Sequence, residues 1–169
     1  MSYEINLNSL KFLRKKQVSN DYSLLPDENY FLSPPVIVRL KNPKIVEINQ
    51  KYIVFKYDES EEDALKELSN NILNSFKNNI LLDDTVQLNP LCTYTFRCTL
   101  PIPWTTYKKK YFKYSFDFYK NEKPYIVTSD NINNLKTEDI TKVVIEIKNI
   151  WKSNNKYGFN CLLKDMYSK

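Results

Sequence analysis

Between Tyr111 and Tyr119 the side chains alternate without a break. Phe112, Tyr114, Phe116 and Phe118 fall on one side of an extended chain, and Tyr111, Lys113, Ser115, Asp117 and Tyr119 on the other. A period of two belongs to a β-strand with one buried face. Similar β-branched and aromatic stretches recur. Residues 36–40, bounded by Pro34-Pro35 and Pro43, read as a strand that begins after a proline stop. Residues 44–47 and 52–57 continue as strands across a turn at Asn49-Gln50, and 91–100 form another. Asn121 to Pro124 turn the chain into Tyr125-Ile126-Val127, and residues 142–151 pair with 159–166 as a hairpin across 153–158.

One stretch keeps helical spacing. Ala64, Leu65, Leu68, Ile72, Leu73 and Phe76 recur on one face, which predicts an amphipathic helix over 61–78. Ser60 and Asp63 have capping-box spacing, Glu61, Glu62 and Asp63 complement the positive end of the dipole, and Asn78-Asn79 end the helix. Leu10, Phe12 and Leu13 mix irregularly with Lys11, Arg14, Lys15 and Lys16, as in a short helix or arm. The expected organisation is an N-terminal arm over 1–30 and a single domain over 31–169. The fold class is mainly β (α+β), with about seven strands and one helix, a composition suited to a closed or nearly closed barrel.

What the chain lacks narrows its chemistry. It has no histidine, which removes the commonest general base, His-assisted nucleophiles and imidazole zinc sites. Its one glycine, Gly158, cannot supply a phosphate-cradling loop or a dinucleotide fingerprint. Cys92, Cys98 and Cys161 form an odd set, expected to be small core hydrophobes in a reducing compartment. The acidic pairs Asp83-Asp84 and Glu138-Asp139 could hold a divalent ion but fit turn and cap positions better. The expectation is a protein that is not an enzyme and takes neither metal nor cofactor. With no basic-then-apolar leader and no membrane-length apolar run, it is expected inside the cell.

Aromatic residues make up 14 % of the chain and the net charge is +5, so the placement of the charge decides its meaning. Residues 97–123 hold seven Lys or Arg against two Asp or Glu. Within them Trp104, Tyr107, Lys108, Lys109, Lys110, Tyr111 and Lys113 put cations for phosphates beside rings for bases, the pairing that sequence-tolerant single-strand binding uses. The plainer alternative is a solvated hairpin tip beside core aromatics. Trp151, Lys152, Lys156 and Tyr157 form a second cluster, although Trp151 continues the alternation of Val143, Ile145 and Ile147 and so fits the core as well. The acidic stretch 58–67 lies on the helix and should face away from a polyanion.

The tail from Ile140 through Trp151 and Gly158 to Met166 resembles the closing hairpin of small single-stranded-DNA-binding-like proteins of large cytoplasmic DNA viruses. In that family a strand ending in tryptophan, a short lysine-containing turn and a glycine precede the last strand. The order of elements from Val36 is similar to theirs, and the likeness covers about residues 36–166. It implies an OB-like barrel that works in DNA replication, repair or recombination. Virus-like linear cytoplasmic plasmids of yeasts are a further implied source. Asn149 departs from the glycine that precedes the family's tryptophan, and the ending 164–169 lacks the acidic tail by which such proteins recruit replication partners.

The function expected is therefore sequence-independent binding of single-stranded DNA, with replication proteins as further partners. The competing expectations are a protein-interaction or virion-associated module of the same fold, and an RNA-binding factor in transcription.

Overall fold

The computed structural model describes residues 2–4, 9–15, 28–80, 87–88, 90–102, 111–153 and 156–169. Its strands are β1 (Ser2–Glu4), β2 (Lys11–Lys15), β3 (Glu28–Lys41), β4 (Lys44–Ile48), β5 (Tyr52–Lys56), β6 (Gln87–Leu88), β7 (Thr95–Thr99), β8 (Asp117–Lys120), β9 (Lys123–Tyr125), β10 (Ile140–Ser153) and β11 (Lys156–Ser168). A single α-helix among the described residues, α1 (Glu62–Ile80), follows β5. The protein is mainly β, and all the strands share one sheet, whose main path runs β1-β3-β10-β11-β7-β5-β4.

The expected closure is not formed by the described residues, where no ladder joins β4 to β1. The reason lies at β11. One of its edges pairs along its length with antiparallel β10, while the other is shared by three short parallel partners, β6, β7 and β8. The sheet therefore branches, one limb leading through β7 to β5 and β4, the other through β8 to β9. β4, at the end of its limb, lies beside the 3-10 helix Ile132–Thr137 that leads into β10.

Several sequence expectations are corrected here. β3 does not start after Pro34-Pro35 but passes through both, with a cis Ser33–Pro34 peptide. Its ladder to β10 skips from Val36↔Ile147 to Phe31↔Asn149, and its other edge changes partner from β2 at Ser33 to β1 at Ile37. The prolines fall in both gaps, where no ladder N–H is required. The division at residue 30 falls inside β3, and the stretch expected as a helix or arm contributes β2, a strand of the same sheet. Of residues 91–100 only Thr95–Thr99 is strand, because Tyr94 takes a left-handed conformation with φ 57. In 111–119 the ladder is limited to β8, yet the alternation survives: Tyr114, Phe116 and Phe118 are buried, and Tyr111, Lys113 and Asp117 are exposed. The last hairpin is longer than expected, with Lys156, Tyr157 and Gly158 inside β11.

α1 forms as its spacing requires, with Leu65, Leu68, Ile72 and Phe76 fully buried. Its start is one step more elaborate than a capping box. Asp58 accepts a hydrogen bond from the Ser60 N–H at 3.0 Å and opens a 3-10 turn, Glu59–Glu61, that runs into the helix. Phe76 is the hub of the core. The rings of Phe12, Tyr30 and Tyr157 meet it edge-on at 5.1, 5.0 and 5.7 Å, which ties β2, β3 and β11 to the helix. Cys98 and Cys161 are buried and Cys92 is half-buried, all as free thiols, and burial pushes Cys92 up to about 11.

Candidate nucleic-acid interface

Trp104, Tyr107, Lys108, Lys109 and Lys110 lie outside the described residues. The described end of that cluster begins at Tyr111, which is 59 % exposed, followed by exposed Lys113. Their backbone is pinned. Phe112 N–H donates to Ser129 Oγ at 3.1 Å, Ser129 N–H to the Phe112 carbonyl at 2.9 Å, and Tyr114 N–H to the Val127 carbonyl at 3.0 Å. The Tyr114 hydroxyl donates to the Gln50 carbonyl at 2.7 Å, and burial pushes its pKa up to about 12. With the inner rings held this way, Tyr111 and Lys113 project outward from a fixed support.

The second cluster divides. Lys156 is exposed, while Trp151 and Lys152 are half-buried. The Trp151 ring lies over Gly158, its cross-strand partner. Tyr157 is corrected from surface to core: 3 % exposed and packed on Phe76, it has no face to offer a base. The cause is strand parity, since β11 already includes Lys156 and residue 157 points inward with Cys161 and Leu163. Asn149, at the family's glycine position, is buried and donates through Nδ2 to Asn29 Oδ1 at 2.8 Å, bridging β10 to β3 beside the ladder's irregularity.

The side of the sheet away from α1 brings together residues from distant parts of the chain. Register puts Tyr119 of β8 beside Tyr167 of β11, Tyr167 beside Lys142 of β10, and Lys142 beside Lys41 of β3. The two tyrosine rings are stacked, with centroids 5.1 Å apart and planes 13° from parallel. Lys142 Nζ lies 4.3 Å from the Tyr167 centroid, within cation–π range. A groove of about 530 Å³ is lined by Tyr119, Tyr167 and Lys142 of this row, with Thr141, Lys169 and the exposed Glu122, while Lys41 lies beyond its lining. The next row carries Asp117, Asp165, Val144 and Arg39. Burial and then the Asp117 charge raise the Asp165 carboxyl above its ordinary value. Two further rings on this side carry cations: Arg97 sits 3.9 Å from the Tyr52 centroid and Lys148 5.8 Å from that of Phe31.

Tyr119 is outward in the sequence pattern, but its pairing with Tyr167 is not. The β8–β11 contact is parallel and joins residues almost fifty apart, with no turn to announce it. Glu138 and Asp139 are paired with lysines, Glu138 with Lys120 at 2.8 Å and Asp139 with Lys169 at 3.6 Å. Asp83-Asp84 lies outside the described residues. No described helix is long and apolar enough to cross a membrane. Comparison with models of known families, with curated proteins and with solved structures finds no match to this chain.

Proposed function

We propose that this chain binds single-stranded nucleic acid, DNA in the first place, without reading its sequence, and that it serves DNA replication or repair rather than catalysing a reaction. The observation that carries the proposal is the row Tyr119–Tyr167–Lys142, which sets stacked rings against a cation along one groove, with Lys41 next to Lys142 on β3. Bases stack on such rings, and lysines beside them neutralise phosphates. Tyr111 and Lys113 offer the same pairing at the edge of the lysine-rich segment. An OB-type barrel, distorted by the branch at β11, is the architecture we infer. It is supported by a sheet whose inward rows share one core with α1. A viral or plasmid source and a cytoplasmic setting belong to the same proposal and rest on the resemblance of the closing hairpin.

A second reading has a specific observation in its favour. Ile126 and Tyr125, 61 % and 46 % exposed, lie side by side at the end of β9. An aliphatic side chain gives a base no stacking partner but suits the centre of a protein–protein contact. The experiment that separates the two is fluorescence anisotropy with labelled oligo-dT, the matching RNA and a duplex, at low and moderate salt. Tight binding to the single strand that weakens steeply with salt is expected. Tyr119→Ala should weaken it by about tenfold, the order of one lost stacking contact. Affinity that is equal at low and high salt overturns the proposal and leaves the protein-contact reading.

A further inference from the structure

Glu62 opens α1 and differs from the acids around it. Glu59 and Asp63 are exposed, whereas Glu62 is 5 % exposed, because it lies on the helix face that also buries Leu65 and Ser69. One carboxylate oxygen is satisfied: Oε2 accepts from the Tyr57 hydroxyl and, at 3.2 Å, from the Tyr94 backbone N–H. The other, Oε1, is buried and has no hydrogen-bond partner among the described residues. Lys66, one turn on, brings Nζ only to 3.9 Å, too far for a hydrogen bond, and its side chain stays 62 % exposed. A buried carboxylate oxygen left without a donor is costly, which makes this one a place to look for a missing partner.

Space for that partner exists. A cavity of about 240 Å³ lies between α1 and residues 90–94, with Glu62 in its wall beside Ser69, Leu73 and Leu91, and with half-exposed Tyr94 on the same lining. Three observations specify the chemistry. Only one oxygen lacks a donor, and Lys66 must swing aside to uncover it, so a guanidinium fork, which uses two, is a poorer match than the point charge of an ammonium. The described residues contain no group of three or more Cys, Asp or Glu that could hold a metal ion. Leu65, Leu73 and Leu91 share the lining with the carboxylate, which suits a short alkyl stem behind the cation.

We propose that this cavity binds a primary ammonium on a short alkyl chain, its nitrogen donating to Glu62 Oε1 in place of Lys66. The ammonium belongs either to a free aliphatic amine or to a lysine side chain of a partner. This site is independent of the nucleic-acid surface, since α1 packs on the opposite side of the sheet.

The test uses the full ¹⁵N-labelled chain, titrated in separate arms with n-butylamine, with a blocked lysine peptide and with n-butylguanidine, and followed by amide chemical shifts. Saturable shifts confined to residues 62–70 and 91–94, larger for an amine than for the guanidine, are expected. The arm that responds at lower concentration identifies the source. Glu62→Gln should weaken amine binding by more than about tenfold, as loss of a charged hydrogen-bond acceptor does. Because Glu62 also anchors Tyr57 and Tyr94, Lys66→Met is the second variant. By removing the competing cation it should tighten amine binding about two- to fivefold. Absence of saturable shifts with either amine in both the wild type and Lys66→Met overturns the proposal. Shifts that survive unchanged in a folded Glu62→Gln do so too.

Discussion

Gly158 sits where a larger residue meets an aromatic ring. A Cβ at this position would come within 2.2 Å of Trp151 Cζ2 and 2.5 Å of Cε2, so the absence of a side chain lets the indole lie flat against β11. Gly158→Ala should push the half-buried ring outward and destabilise the fold by about 1–2 kcal/mol, the usual scale for overpacking. Urea unfolding checks the stability, and a red-shifted Trp151 emission in a Trp104→Phe background checks the displacement. The glycine and the tryptophan are both conspicuous in the sequence, but their contact needs the register Trp151↔Gly158, which a turn wrongly placed over 153–158 conceals. Asp165 supports a second expectation. Its folded carboxyl is raised by burial and by Asp117, so the charged form is penalised at neutral pH and relieved as acid protonates it. Asp165→Asn should raise the melting temperature slightly at pH 7. That gain should fade as the pH falls into the ordinary carboxylate range, which thermal melts across pH would show.

α1 is the element most fully legible in the sequence, because its face repeats through Leu65, Leu68, Ile72 and Phe76 and every one of these side chains is buried. Its partners are less legible. Phe12 and Tyr157 both reach Phe76, yet one stands in a lysine-rich stretch and the other beside a turn, and only strand pairing brings them inward. The same holds for β3, whose prolines read as a boundary although both of its ladders are interrupted just where they fall. Local signals thus specify which residues point inward, as 111–119 illustrates. Which strand lies beside which is decided by contacts remote in sequence. Phe76→Ala would remove the hub of four elements at once. A loss of about 3–5 kcal/mol is expected for a fully buried phenylalanine, measured by chemical denaturation. A loss below about 1 kcal/mol would mean that the Phe12, Tyr30 and Tyr157 rings close over the gap.

At the scale of the whole molecule, charge is arranged by face rather than in bulk. α1 presents Asp63 and Glu67, with Lys66 between them, to solvent on one side of the sheet, whereas the outer face carries Lys41, Lys142, Lys148 and Arg97 among its rings. The outer face is not purely cationic. Glu146 is paired with Lys164 at 3.6 Å, and Asp117 and Asp165 form the row next to the stacked tyrosines. The net charge of +5 therefore says little about where a polyanion would settle. Two substitutions that alter it equally separate position from total. Asp165→Asn removes a negative charge next to the proposed groove, and Glu67→Gln removes one from the exposed side of the helix. If a single strand lies along the Tyr119–Tyr167–Lys142 row, the first should tighten oligo-dT binding several-fold at low salt, with the gain shrinking as salt screens it, while the second changes little. Lys142→Gln should weaken binding and lower the slope of log affinity against log salt by about one, as expected for one lost phosphate contact. Equal effects of Asp165→Asn and Glu67→Gln would mean that the strand responds to the protein's overall field, and the groove would lose its claim to the site.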